Sequence, residues 1–165
     1  MLPRFLTTAR LLLRPYTLHD TADILAYATD PEWGRYLPVP QPYTEADAER
    51  HVATQLLLDH AQHAAWALEY EAKVVGGINI RFFADHCIGE FGYGLAPILW
   101  GRGLVTEAIT VVVQAAFDTY PQLHRIRASA DPRNTASLRI MEKLGMQREA
   151  LLRQNRQMRG EWVDE

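Results

Sequence analysis

The sequence of 165 residues predicts a single α+β domain, in which an antiparallel sheet packs against helices. Three strand-like runs with short links follow one another in the middle of the chain, namely AWALEYE, VVGGINIRFF and IGEFGYGLAP. Beyond them the apolar residues recur at helical spacing over residues 105–117. A change of period from strand to helix within one chain is typical of an α+β fold.

The first part of the chain is predicted to contribute one strand and two helices. The run RLLLRP is strand-like and ends at Pro15, and Asp20 is placed to cap a helix over residues 21–29. A second helix is predicted to begin after Thr44 and to reach about His60. These helices are expected to flank the sheet.

Between the two helices, the segment DPEWGRYLPVPQPY contains four prolines and is predicted to be a long irregular loop. Long loops in compact domains often carry function. Trp33 and Tyr36 are therefore candidates for the wall of a substrate pocket, or else they pack beneath the loop.

The last part of the chain is predicted to form strand, helix and strand. The run HRIRASA is strand-like, and a helix is expected over residues 134–144, closed by Gly145. A final strand is expected over REALLRQNRQM.

Composition and charge exclude several classes of protein. No run approaches the roughly 18 apolar residues of a membrane span, so we expect a soluble, cytoplasmic protein with no membrane partner. Cys87 is the only cysteine, which agrees with a reducing compartment. A net charge of −3 hides a basic block at residues 124–160, with nine basic and three acidic side chains. The basic side chains of this block either attract an anionic ligand or lie on solvated faces. Because no aromatic residues alternate with its arginines, we expect no stable nucleic-acid partner.

The stretch LWGRGLVTEA places two glycines one residue apart, directly before the helical run. A dinucleotide-binding fingerprint would need a third glycine where Thr106 stands, and a P-loop would need Gly-Lys-Ser/Thr. Two explanations stay open. The glycines allow a tight turn with φ > 0, or they form a turn whose N–H groups, free at the start of a helix, hold a pyrophosphate.

Taken together and in order, several motifs resemble the RimJ/RimL branch of the GNAT N-acetyltransferases. They are TARLLLRPY, DPEWGRYL, GEFGYGL, LWGRGLVTEA and HRIRASADPRNTASLRIMEKLGM. The resemblance implies the GNAT fold, with a mixed, mostly antiparallel central sheet that splays in the middle and is flanked by helices. It also implies acetyl-CoA in the gap as co-substrate, with its pyrophosphate on the glycine turn. Separately, His60 and His63 form a His-x-x-His pair with no evident third ligand, so we expect no metal.

The activity implied by the resemblance is direct acetyl transfer to a primary amine. The amine is a protein N-terminal α-amine, such as that of a ribosomal protein, or belongs to a small molecule such as a polyamine, an amino acid or an antibiotic. A non-catalytic acyl-CoA-binding module is the alternative of another class. The resemblance is compatible with a monomer or a homodimer.

The resemblance also assigns roles to individual residues. Glu90 matches a carboxylate that often serves as base, and an amine with a pKa near 8 needs only a modest base. Ser137 takes the acid role towards the departing thiolate, because Met141 stands where many relatives have tyrosine and methionine cannot donate a proton. The substrate-binding candidates are Trp33, Tyr36 and Glu90. The cofactor-binding candidates are Tyr93, Gly94, Leu95, Gly101, Arg102, Gly103, Leu104, Val105, Thr106, Asn134 and Ser137.

One departure concerns the end of the sequence. Chains of the family usually continue past the GEWVD element into another strand, whereas this sequence ends at Glu165. We therefore expect either that a final strand is missing from the sequence or that the sheet lacks it.

Overall fold

The computed structural model describes residues 1–165, which form a six-stranded sheet, a separate hairpin and five α-helices. The sheet contains β1 (Leu6–Thr7), β2 (Leu12–Arg14), β3 (His63–Tyr70), β4 (Lys73–Phe83), β5 (Ile88–Leu95) and β6 (Arg125–Arg127). The hairpin contains β7 (Arg156–Met158) and β8 (Glu161–Val163). The helices are α1 (Thr21–Ala28), α2 (Pro31–Gly34), α3 (Glu45–Leu56), α4 (Leu104–Thr119) and α5 (Thr135–Lys143).

The strands of the sheet lie in the order of the sequence, from β1 to β6. All neighbouring strands are antiparallel except β5 and β6, which are parallel and are connected through α4. The predicted α+β class and the mixed, mostly antiparallel sheet are thereby confirmed. No helix is both long enough and apolar enough to cross a membrane.

The sheet parts between its last two strands. β5 pairs with β4 along its whole length, but it pairs with β6 over only three residues, from Ile88 with Arg125 to Glu90 with Arg127. From residue 91 to residue 95, β5 has no strand on its other side. This is the splayed sheet that the resemblance implies.

Helices cover both faces of the sheet. On one face, α4 buries its apolar stripe against β3 and β4 in a cluster of 20 buried residues, among them Trp66, Ile80 and Ile109. On the other face, α1 and α3 pack on the sheet through a smaller cluster that includes Ile24 and Val52. The two clusters fix the middle strands from both sides, so the free edge of β5 is carried on a rigid support.

The two N-terminal helices differ in how they begin. α3 starts as predicted, because Thr44 accepts a hydrogen bond from the Asp47 N–H while the Asp47 carboxylate accepts one from the Thr44 N–H. It ends at Leu56, four residues before the predicted end. Asp20 does precede α1, but the predicted cap is wrong, because the Asp20 carboxylate makes no hydrogen bond to the first turn of the helix. It pairs with Arg14 instead.

Three predictions for the loops and the C-terminal part need correction. The proline-rich segment contains the short helix α2 and is not wholly irregular, and the strand predicted over HRIRASA has only three residues. The strand predicted over REALLRQNRQM is wrong, since only its last three residues are extended and they pair with β8 outside the main sheet. Leu151 and Leu152 are 44% and 49% exposed, so their apolar character did not indicate a buried strand.

The packing of α4 on the sheet gives a stability prediction. Ile109 is fully buried in the larger cluster, so Ile109→Ala is expected to lower the free energy of unfolding by about 2–5 kcal/mol. The exposed neighbour Thr110 provides the control, and Thr110→Ala is expected to change it by no more than about 0.5 kcal/mol. Denaturant unfolding measures both. Equal changes in the free energy of unfolding for the two variants would mean that the packing of α4 on the sheet does not stabilise the fold.

Candidate functional site

A cavity of about 360 Å³ lies where β5 and β6 part. One wall is formed by residues 91–94 of β5, and another by residues 128–131, which follow β6. The start of α5 and the segment around α2 complete the lining, together with α3 residues such as His51. Of the predicted cofactor residues, Leu95 and residues 101–106 do not line this cavity.

The main chain of β5 has groups along its open edge that pair with no other strand. Ala96, just after the strand, donates its N–H to the main chain of β4 at 2.7 Å, so by alternation Gly94 also faces β4. Tyr93 and Leu95 therefore direct their N–H and C=O groups to the side that β6 leaves open. Consistently, the Leu95 carbonyl accepts a hydrogen bond from the Trp100 indole at 2.7 Å.

The glycine turn and the first turn of α4 form a row of free amides. Gly101 and Gly103 have φ of 77° and 78°, values that favour glycine. None of the six N–H groups of residues 101–106 donates a hydrogen bond within the protein. A Cβ atom at Gly101 would meet nothing within 4 Å, so a ligand can approach the main chain. With the positive end of the α4 dipole, this row suits an anion of pyrophosphate type.

An ion pair beside the turn keeps it electropositive. Glu107 lies in the first turn of α4, and Arg10 binds its carboxylate through the guanidinium at 2.8 Å. Burial raises the pKa of Glu107, but the hydrogen bonds from Thr8 and Arg10 lower it more, so the pKa is below its usual value. Arg10 also donates to the carbonyl of Arg102 at 3.0 Å, which fixes the turn. The acidic side chain is thus neutralised, and it does not cancel the dipole of the helix.

The start of α5 brings two predicted residues to the cavity. Asn134 caps the helix, since its side-chain oxygen accepts a hydrogen bond from the Ser137 N–H at 3.1 Å. Its amide NH₂ group donates to no group of the protein and is available to a ligand. The Ser137 hydroxyl lies 2.5 Å from the hydroxyl of Tyr93, across the cleft on β5. Met141 lines the same cavity one turn further along α5.

Trp33 and Tyr36 line the other side of the cavity. The Trp33 ring stands edge-on between Tyr27 and Tyr43, with ring centroids 5.4 Å from each. A Cβ atom on Gly94 would lie 3.4 Å from the Trp33 indole nitrogen, so the glycine lets the indole approach β5 closely. That nitrogen is buried and has no hydrogen-bond partner in the protein.

Arg159 ties the hairpin of β7 and β8 to the aromatic segment. Its guanidinium, at distances of 2.8–3.4 Å, donates to four carbonyl oxygens that follow Trp33, namely those of Gly34, Arg35, Leu37 and Val39. One side chain thus supplies donors to four carbonyls, of which that of Gly34 also accepts a hydrogen bond from the Leu37 N–H. The position of Trp33 and Tyr36 over the cavity therefore depends on a residue far along the chain.

Glu90 lies apart from the other predicted site residues. It is the last residue of β5 that pairs with β6, and its carboxylate accepts a hydrogen bond from the Arg127 guanidinium at 2.8 Å. It is not among the residues that line the cavity. Glu90 thus stands at the point where the strands part, next to the cleft but bound to an arginine.

The cavity holds no free negative charge. Asp131 is the one carboxylate in its lining, and it is 2% exposed. Hydrogen bonds from the Arg133 side chain, at 2.6–3.2 Å, hold the pKa of Asp131 below its usual range. Burial lowers the pKa of His51, so this ring is neutral at pH 7. Arg156 also lines the cavity, and its guanidinium pairs with the Glu165 carboxylate at 3.1 Å.

Two contacts of the site were not predicted from the sequence. The period of two in GEFGYGL places the side chain of Tyr93 on the same face of β5 as that of Phe91, and this pattern in the sequence indicates where the phenol points. Arg159 gives no such signal, because its partners lie more than 100 residues earlier in the chain. The structure brings Tyr93, Asn134, Ser137, Trp33 and Tyr36 to one cavity. The free amides of the turn lie outside its lining, at the start of α4.

Comparisons with known proteins agree with this geometry. The family model described as "Acetyltransferase (GNAT) domain" matches residues 10–147. The uncharacterized N-acetyltransferase YnaD of Bacillus subtilis is 31% identical over 161 residues, which cover 97% of this chain and 92% of YnaD. The crystal structure of a GNAT-family acetyltransferase from Bacillus anthracis has a TM-score of 0.85 at 28% identity, covering 97% of this chain and 93% of that chain.

A more distant likeness concerns the fold alone. The apo structure of RimL, a ribosomal L7/L12 alpha-N-protein acetyltransferase, has a TM-score of 0.84 at 15% identity and covers 99% of this chain and 91% of that chain. The predicted GNAT fold is confirmed by these neighbours.

Proposed function

The chain belongs to the GNAT acetyltransferase family and is an N-acetyltransferase, and we propose that its acceptor is the α-amine of a protein N-terminus. The observation that carries the acceptor is the lack of a free carboxylate in the cavity, and the observation that carries acetyl-CoA is the row of six free amides at residues 101–106. The amides at the start of α4 suit the pyrophosphate of acetyl-CoA. The N–H groups on the open edge of β5 lie where the thioester would enter the cleft.

The residues present fit acetyl-CoA, which supplies the acetyl thioester. In the proposal, the main chain of Gly101, Gly103, Leu104, Val105 and Thr106 holds the pyrophosphate, while Arg102 screens its charge. The Asn134 amide donates to the pantetheine arm. The Tyr93 and Leu95 N–H groups, on the open side of β5, polarise the thioester carbonyl. Gly94 keeps this strand accessible because it has no side chain.

On the acceptor side, Trp33 and Tyr36 form the wall against which the incoming chain packs. Glu90 is proposed as the base, and because it lies outside the cavity lining it acts through a water molecule. Ser137 is proposed to donate to the departing sulfur from the start of α5. Each group stands on an element fixed by the core.

The charges of the cavity support an α-amine over a polyamine or an aminoglycoside. A polycation needs several carboxylates to replace its water, but the one carboxylate in the lining is buried and occupied by Arg133. A peptide N-terminus carries a single amine, with a pKa near 8, and so enters in its neutral form at modest cost. The resemblance to the RimJ/RimL branch points to the same acceptor.

An acceptor panel tests the proposed function. We expect acetyl-CoA-dependent release of CoA with peptides that begin with Ala or Ser, and at least about tenfold lower kcat/KM with spermidine or an aminoglycoside. The assay follows free thiol, and mass spectrometry locates the acetyl group.

The outcomes of this panel separate the alternatives. Preferred turnover of spermidine or the aminoglycoside would replace the proposed acceptor with a small molecule. Saturable binding of acetyl-CoA without turnover of any amine would indicate a non-catalytic module.

The anion site can be tested by charge at Gly101. Asp and Asn both tolerate the left-handed backbone, and a Cβ atom at this position meets nothing within 4 Å. We expect Gly101→Asp to weaken CoA binding at least about tenfold because its carboxylate faces the pyrophosphate. Gly101→Asn, the neutral control of the same shape, is expected to bind within about threefold of the parent. Calorimetry measures both, and equal affinities would remove the turn as the pyrophosphate site.

Glu90→Gln tests the proposed base. We expect kcat to fall on the order of 100-fold with an unchanged KM for acetyl-CoA, since Glu90 lies away from the cofactor residues. Glu142→Gln is the control because Glu142 is exposed on α5 and makes no ion pair. If the two variants have the same kcat, proton removal belongs to water alone.

A further inference from the structure

The hydrogen bond between Tyr93 and Ser137 joins two elements across the cleft. Their hydroxyl oxygens are 2.5 Å apart, and both residues line the cavity. A serine in a helix commonly bonds back to a carbonyl of the preceding turn. Here the Ser137 hydroxyl has Tyr93 as its one partner within the protein. The contact therefore holds this hydroxyl at the cavity and not along its own helix.

The chemistry of the two hydroxyls sets the direction of this bond. The geometry allows either hydroxyl to donate. In the proposed arrangement Tyr93 donates and the Ser137 oxygen accepts, because a phenol is more acidic than an alcohol. Burial raises the pKa of Tyr93 and outweighs the opposite effect of Ser137, so the phenol keeps its proton at neutral pH. The hydrogen of Ser137 is then free to be donated to a third group in the cavity.

We propose that Tyr93 is a positioning residue for acetyl transfer, which orients and polarises Ser137 so that the serine donates a hydrogen bond to the departing sulfur. This inference rests on the proposed function. It assigns a task to a side chain that stands on β5, whereas Met141 on α5 has no proton to donate. A chain of two hydroxyls strengthens the second hydrogen bond, since each donor polarises the next.

In the proposed acetyl transfer, neither hydroxyl gains or loses a proton. The amine nitrogen forms a bond to the acetyl carbon, the carbon–sulfur bond breaks, and its electron pair stays on sulfur as a thiolate. The proton of the amine leaves through the base and water, and water later protonates the thiolate. Ser137 and Tyr93 keep their protons throughout, and they lower the energy of the thiolate by hydrogen bonding.

The experiment compares Tyr93→Phe, Ser137→Ala and the double variant with the parent. Tyr70→Phe is the control, since Tyr70 lies at the end of β3 outside the cavity and packs against the core. Two properties are measured on each protein. One is kcat and KM for acetyl-CoA with an N-terminal peptide; the other is the pKa of the thiol of bound CoA, followed by the ultraviolet absorbance of the thiolate.

We expect Tyr93→Phe to lower kcat about tenfold with little change in KM, as for the loss of one hydrogen bond to a developing charge. The double variant is expected to match Ser137→Ala alone because both side chains act through one hydroxyl. The parent is expected to hold the pKa of the bound thiol below that of free CoA titrated under the same conditions. Tyr93→Phe and Ser137→Ala are expected to raise it, whereas Tyr70→Phe leaves it unchanged.

Each remaining outcome is decisive. If Tyr93→Phe behaves like Tyr70→Phe in both measurements, or if the losses in kcat are additive, Tyr93 does not act through Ser137 and the inference is overturned. If the parent binds CoA but turns over no amine, the proposed function fails, and the thiol titration by itself decides the role of Tyr93. If CoA does not bind, both fail together.

Discussion

The site depends on one limit in strand pairing, namely that β6 accompanies β5 for only three residues. A main-chain N–H that is withdrawn from water without a partner costs about 1–3 kcal/mol, so an open strand edge inside a fold is unfavourable unless a ligand completes it. The main chain of Tyr93 and Leu95 lies at such an edge. The free amides at the start of α4 have the same origin, because a helix begins with N–H groups that it cannot pair itself. Both sets of N–H donors therefore exist because a secondary-structure element begins or stops pairing at that point.

The ladder between β5 and β6 ends at Arg127 and does not resume in the residues that follow. Pro132 has no N–H group, so it could not extend the ladder. Just before it, the buried carboxylate of Asp131 is bound by the backbone and side chain of Arg133. The Asp131 carbonyl accepts a hydrogen bond from the Asn134 N–H at 2.8 Å, which turns the chain into α5. The same few residues therefore turn the chain into α5 and place Ser137 on the wall of the cavity.

Local chemistry explains which parts of this arrangement were predictable. The strand and helix periods, the cap at Thr44 and the two glycines before α4 depend on neighbours within a few residues, and each of these was predicted. The contact of Tyr93 with Ser137 spans 44 residues, and the contacts of Arg159 span more than 100. Such pairings follow from topology. The strand wrongly predicted before β7 has the same explanation, since its apolar residues find no face of the sheet to cover.

The electrostatics of the two ends of the site differ in a way that bears on the acceptor. The cofactor end combines free amides with the exposed Arg102, whereas the acceptor end has a neutral His51 and a carboxylate already bound by arginine. A cavity of this kind gives no compensation to an ammonium group, so the amine has to lose its proton before it attacks. At neutral pH the neutral fraction of an α-amine exceeds that of a lysine side chain by roughly two to three orders of magnitude, from the difference between their pKa values. Selection for an N-terminus in the proposed reaction therefore needs no dedicated recognition of the charge. It follows from the lack of a free carboxylate where the amine would enter.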